Sequence, residues 1–264
     1  MIDVVIPCFR RHGDFIFWLE HGPRLFNSFP ISSIVLSRGF SVLRLTRYGL
    51  TEEMPLHGYR TDKLLSLSTS RRTPCSSKVS MLLQAVRFTS EELLLFLDCD
   101  IRLTTHSLQR LITSLRCSPS QRTAAYVRDV FESDSSIAPK SWSGERPLLL
   151  LENDGSRRLI IQRWSSTNSR PGFGNVICRR KDYISCGMHD ARYFSYGWED
   201  HDLLTALQLD GCTVVSASYA FHISHDDSSR LLGDFTRAQS VALSKSIFMD
   251  KYKDLLPLGG VGPA

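Results

Sequence analysis

The sequence predicts an α/β fold: a Rossmann-like mixed central sheet flanked by helices. Three observations predict it. Short apolar runs of strand length alternate with amphipathic helical stretches through the first half of the chain. One run, residues 93–97, is continuously apolar, as a strand covered on both faces must be. Finally, 42% of the 264 residues are hydrophobic and 22% charged, which fills a large core and excludes wholesale disorder.

The elements follow in order. Residues 4–6 are an apolar strand that Pro7 ends. Residues 15–19 have the apolar density of a packed helix, and 33–36 and 41–45 read as the next two strands. A helix over 73–88 has Pro74 near its start and Val79, Leu82, Leu83 and Val86 on one face. The strand at 93–97 and a helix at 106–115 follow. Residues 131–172 are rich in Ser, Pro, Gly and Arg, and predict a mobile lid, an acceptor loop or an exposed insertion. Within them, 148–151 and 159–161 flank Asn153-Asp154-Gly155, a hairpin signal. Short strands are predicted at 176–178 and 214–215. A helix at 200–210 carries Leu203, Leu204 and Leu207 on one face and stops at Gly211. A last helix spans 233–253, and 257–264 is a flexible tail.

Charge and cysteine usage narrow the classes. Lys plus Arg number 32 against 27 Asp plus Glu, a net charge of +5 that gives no reason to expect a nucleic-acid partner. Of the cations, 25 are Arg and 7 are Lys, and the Arg fork suits phosphate and carboxylate. The seven cysteines are odd in number and scattered, with no CxxC, so neither a disulfide framework nor a zinc cluster is expected. No signal peptide and no transmembrane segment of about 20 apolar residues is visible, so a cytoplasmic location is expected.

Three stretches can carry chemistry. Asp98-Cys99-Asp100 closes the buried strand; in extended backbone both carboxylates face one way and can hold a hard divalent cation. Gly197-Trp198-Glu199-Asp200-His201-Asp202 opens a helix. Its acids can cap that helix, or one can serve as a general base while another binds a hydroxylated ligand. His222-Ile223-Ser224-His225 places two imidazoles three residues apart in a short loop, where they can converge on a metal.

Together these motifs resemble the A-type-fold glycosyltransferases, above all those with a galactosyltransferase-like C-terminal segment such as β1,4-galactosyltransferases and bacterial chondroitin-type synthases. The opening Val5-Ile6-Pro7-Cys8-Phe9-Arg10-Arg11 is similar to that family's first strand and nucleotide loop, and Gly172-Phe173-Gly174-Asn175 to its acceptor-side segment. The resemblance implies one catalytic domain over 1–256, with a nucleotide-sugar-binding half at 1–103 and an acceptor-binding half at 104–256. It implies Mn²⁺ (or Mg²⁺) held by Asp98, Asp100 and His225, with His222 as runner-up. Pro7, Phe9, Arg10, Arg11, Lys78, Gly174 and Trp198 join Asp98 and Asp100 in meeting the donor. Asp200 would be the general base of an inverting transfer, and Glu199 and Trp198 would hold sugar. The expected donor is a nucleotide sugar, in this family a UDP-sugar. The acceptor is a glycan, a peptide, a lipid-linked sugar or a small molecule.

Other readings stay open at this point: a retaining glycosyltransferase, a nucleotidyltransferase on a similar sheet, or an inactive carbohydrate-binding relative. The last is favoured by Val35-Leu36-Ser37-Arg38, which has no acid where many relatives meet the nucleobase.

Overall fold

The structure is a computed structural model, and it describes residues 1–8, 12–38, 41–53, 77–116, 122–134, 136, 141–225 and 235–257. Its centre is a nine-stranded mixed sheet in the order β4-β3-β2-β1-β5-β10-β7-β11-β6. The strands are β1 (Ile2–Pro7), β2 (Ile31–Arg38), β3 (Ser41–Thr46), β4 (Gly49–Glu53), β5 (Leu93–Phe96), β6 (Ile101–Arg102), β7 (Thr123–Glu132), β10 (Arg170–Arg179) and β11 (Thr213–His222). A separate hairpin, β8 (Trp142–Leu151) and β9 (Arg157–Ser166), is inserted between β7 and β10. The helices are α1 (His12–Ser28), α2 (Lys78–Val86), α3 (Thr105–Arg116), α4 (Arg180–Ser185), α5 (Glu199–Leu209) and α6 (Arg237–Lys251).

Side-chain alternation builds the layers. In β1, Ile2, Val4 and Ile6 join Leu95 and Leu97 of the β5 segment in one core with Trp18 of α1 and Leu108, Leu111 and Ile112 of α3. Val5, Leu94 and Phe96 face the other way, onto Leu82 and Ala85 of α2 and Leu203, Leu204 and Leu207 of α5. A smaller cluster joins α6 to the hairpin through Trp198, Phe248, Leu159 and Tyr252. The buried Asp3 ties three strand starts together: its carboxylate accepts from Ser33 Oγ, Ser90 N and Glu91 N.

The topology gathers the strand ends. β1 runs parallel to β2 and β5, and β11 runs parallel to β7. β10 runs antiparallel to both β5 and β7, so its first residues lie beyond the carboxyl end of β5 and beside that of β7. Pro7, Asp98, Asp100, Glu132, Arg170 and His222 therefore share one edge of the sheet, the edge where open α/β sheets bind ligands.

Several elements differ from the sequence reading. Residues 142–166 form a hairpin of two ten-residue strands, longer than the strand pair at 148–151 and 159–161 that the sequence predicts; packing of Leu149, Leu159 and Ile161 onto the α6 core holds it. α2 begins at Lys78, because the Ser77 hydroxyl accepts from Ser80 N and caps it there. α6 begins at Arg237, after a capping box of Thr236 and Gln239. β4, β7 and α4 were not expected. The predicted tail from 258 on lies outside the described residues. Among the described residues, no helix is long and apolar enough to cross a membrane, and Cys8, Cys99, Cys178, Cys186 and Cys212 are free thiols.

Candidate active site

A cleft of about 330 Å³ opens at the gathered strand ends. Pro7, Lys78, Asp98, Asp100, Gly174, Trp198, Glu199, Asp200, His222 and His225 all line it. Most of the candidate residues thus meet in one place. Phe9, Arg10 and Arg11 lie outside the described residues.

The acidic motif is not an extended pair. β5 ends at Phe96 and the chain turns at once, with Ile101 N donating to Asp98 O at 3.0 Å. Two donors pin this turn at the Cys99 carbonyl: Trp18 Nε1 at 3.0 Å and Arg102 Nη1 at 2.6 Å. Arg102 in turn pairs with Asp14 and lies 3.8 Å over the Phe17 ring. The turn breaks the alternation that would have aimed both carboxylates alike. Asp98 faces Lys78, at 2.9 Å, whereas Asp100 faces the two histidines.

Asp100, His222 and His225 form one group, whose nearest ligand atoms all lie within 4.8 Å of one another. The two Nε2 atoms stand 3.3 and 3.0 Å from Asp100 Oδ2. His222 is the last residue of β11 rather than a loop residue, and Ile223 N donates to Asp100 O at 2.8 Å, so the sheet delivers His222 while His225 follows just beyond the strand. Glu132 Oε2 lies 2.7 Å from His222 Nδ1 and also accepts from Ser224 Oγ at 2.7 Å. A carboxylate on Nδ1 selects the tautomer that leaves the Nε2 lone pair for an ion, the usual support of a metal-binding histidine. Burial pushes the Glu132 carboxyl up, but hydrogen bonds from His222 and Ser224 outweigh it and hold it below its ordinary value. The donor set of two imidazoles and one carboxylate therefore fits a divalent transition ion. Among the described residues, Asp98 is not part of this group.

A second cluster centres on Lys78. Its Nζ lies 2.9 Å from Asp98, 3.0 Å from Asp200 and 3.4 Å from Glu199. Burial opposes its charge, yet Asp200, Asp98 and Glu199 together raise the Lys78 pKa well above the ordinary value. One cation cannot balance three acids. Burial and Asp200 push Glu199 up to about 7, and burial also raises Asp200 despite the nearby ammonium. Glu199 Oε2 is buried with no hydrogen-bond partner among the described residues.

Local backbone explains why Asp200 reaches the cleft. Gly197 and Trp198 are both left-handed, at φ 97° and 65°. Trp198 is the residue before α5 and donates no side-chain cap; neither Asp200 nor Asp202 caps the helix. Asp200 is left with 23% of its side chain exposed. Gly174 makes room for it, since a methyl group there would lie 2.6 Å from Asp200 Oδ2 and 2.9 Å from Lys78 Nζ. The Trp198 indole itself packs on Phe248 and His201 and stays 6% exposed. It anchors the turn and offers little surface to a sugar face.

Sequence reasoning missed Glu132; Asn175 was legible only as part of the acceptor-side segment, and Trp142 and Trp164 only as members of the 131–172 stretch. Asn175 Oδ1 accepts from Asp98 N at 3.0 Å. Glu132 sits at the end of β7, and an unpredicted strand could not announce its last residue.

No family model matches the sequence, and no curated protein matches it. Solved structures do. The catalytic domain of Drosophila β1,4-galactosyltransferase 7, in complex with xylobiose, superposes with a TM-score of 0.51 at 10% identity, covering 92% of this chain and 79% of that one. The fold is that of the A-type glycosyltransferases. The S. aureus TarS 1–349 structure gives a TM-score of 0.48 at 11% identity, covering 96% of this chain and 72% of that one. A mutant form of the Drosophila enzyme, in complex with manganese, UDP-Gal and xylobiose, gives 0.47 at 10% identity over 90% of this chain and 77% of that one. Within the A-type fold of this chain, the cleft at the strand ends is the place to look for chemistry.

Proposed function

We propose that the protein is a metal-dependent, inverting glycosyltransferase that moves a sugar from a nucleotide sugar, a UDP-sugar by resemblance, to an acceptor hydroxyl. The observation that carries the reading is the meeting of two groups in one cleft: Asp100, His222 and His225 on one side, Asp200 on the other.

Asp100, His222 and His225 would hold Mn²⁺ in preference to Mg²⁺, because imidazole suits the softer ion. An ion held by these three residues would supply positive charge against the charge that builds on the departing nucleoside diphosphate. Asp200 accepts the proton of the acceptor hydroxyl as its oxygen bonds to the anomeric carbon. The bond from that carbon to the diphosphate breaks, and its electron pair leaves with the phosphate. A single base acting on the acceptor gives direct displacement and inversion. Burial raises the basicity of Asp200, which suits proton removal, while Lys78 holds its orientation. Beside it, burial and Asp200 push the Glu199 carboxyl up to about 7, so its protonated form would be available near neutral pH to donate a hydrogen bond to a sugar hydroxyl. The segment 1–103 would carry the nucleotide, and 104–256 the acceptor.

The test is a panel of nucleotide sugars with purified protein and Mn²⁺. Nucleoside diphosphate release that EDTA stops supports the reading. Release of pyrophosphate instead indicates a nucleotidyltransferase, and no turnover or nucleotide binding indicates an inactive relative.

A further inference from the structure

We propose that Trp142 and Trp164 form an acceptor platform, and that the acceptor is an oligosaccharide rather than a single sugar, a peptide or a small metabolite. This rests on the transferase reading and names the substrate class of the same cleft.

The hairpin register pairs Trp142 with Ser166 and Gly144 with Trp164. Positions 142 and 144 share one face, as do 164 and 166, so the two indoles are diagonal neighbours on the same face. Both line the cleft with Asp200. The apolar residues of the hairpin, Leu149, Leu159 and Ile161, pack into the α6 core instead, so core packing does not account for the tryptophans.

Trp164 lies flat on bare backbone. A methyl group on Gly144 would stand 3.0 Å from its Cε2 and Cζ2 atoms. Its indole N–H is buried and has no hydrogen-bond partner among the described residues. Trp142 carries the Arg170 guanidinium 5.5 Å from its ring centre, and Arg170 Nε lies 3.7 Å from Glu132, the carboxylate that holds His222. The platform is thereby tied to the metal-binding group.

Position in the sheet assigns the platform to the acceptor. β1 and β2, which would carry the nucleotide, lie on one side of β5, while the hairpin enters between β7 and β10 on the other. The ring that accepts the transferred sugar must reach Asp200. Two indoles beyond it serve the rings that follow. A pyranose has an apolar C–H face, which matches a flat indole face.

Xylobiose, cellobiose, chitobiose and their tetrasaccharides, each beside its monosaccharide, are titrated calorimetrically into protein with Mn²⁺ and UDP. We expect one oligosaccharide series to bind about tenfold tighter than its monosaccharide. Trp142→Ala and Trp164→Ala should lose that tenfold and Trp164→Phe should retain most of it. Gly144→Ala, which lifts Trp164 without deleting an indole, should weaken binding in the same series. Oligosaccharides that bind no tighter than monosaccharides, alanine variants with wild-type affinity, or an unglycosylated peptide binding where no sugar does, would overturn the platform. Donor hydrolysis by the wild-type protein separates the two claims. Hydrolysis without oligosaccharide binding removes the platform alone, and oligosaccharide binding without hydrolysis removes the transferase reading.

Discussion

Replacing Lys78 by Met should destabilise the protein in a way that depends on pH. The Lys78 ammonium contacts Asp98, Asp200 and Glu199, at 2.9, 3.0 and 3.4 Å. Removing one partner of a buried ion pair costs about 3–5 kcal/mol, because the other charge is left uncompensated. The Lys78 side chain is 24% exposed, so water screens part of this and the low end, about 3 kcal/mol, applies. For a chain of this length that is a fall in Tm of about 6–12 °C. The sign with pH follows from Glu199, whose carboxyl burial and Asp200 already push up from 4.5 to about 7. The folded state keeps a proton that the unfolded chain releases, so its stability falls as pH rises through that window. Without Lys78 the acids rise further and the loss extends to higher pH. Melting curves of wild type and Lys78→Met at about pH 5 and pH 8 should show a small deficit at the first and the full deficit at the second. An unchanged Tm at the higher pH, or an equal deficit at both, would refute the reasoning.

Other outcomes follow from the same geometry. Asp200→Asn should fold as wild type yet lower kcat for transfer by about 10²–10⁴, the range of one general base, in a coupled diphosphate-release assay. Gly174→Ala drives a methyl group to 2.6 Å from Asp200 Oδ2, and displacing the base should cost about 10² in kcat, with Mn²⁺ affinity by calorimetry retained. Glu132→Gln removes the carboxylate from His222 Nδ1, and Mn²⁺ affinity measured by calorimetry should fall about 10–100-fold.

The parts of the fold visible in the sequence were those whose signal is local. The apolar stretch 93–97, the leucine face of α5 with Gly211 behind it, and the Asp154-Gly155 turn each declared an element of the right kind. The β7 strand did not, because its sequence Thr-Ala-Ala-Tyr-Val-Arg-Asp-Val-Phe-Glu alternates only weakly and owes its place to pairing with β10 and β11 on either side. The site followed the same division. Asp100, Asp200 and both histidines could be named from motifs, and the structure brings them into one cleft. The different aims of Asp98 and Asp100 could not be read, since they depend on a turn held by Trp18 and Arg102 from elsewhere in the chain. Glu132 belongs to no motif and enters through sheet register alone, and the placement of Trp142 beside Trp164 likewise depends on the hairpin register.

The central claim is that Asp100, His222 and His225 grip one divalent ion opposite Asp200. The most direct measurement is anomalous diffraction at the manganese edge from crystals grown with Mn²⁺ and UDP. On this claim, one strong peak is expected among Asp100 Oδ2 and the two Nε2 atoms. Manganese bound at the Lys78 cluster, or anywhere else while the triad stays empty, would contradict it.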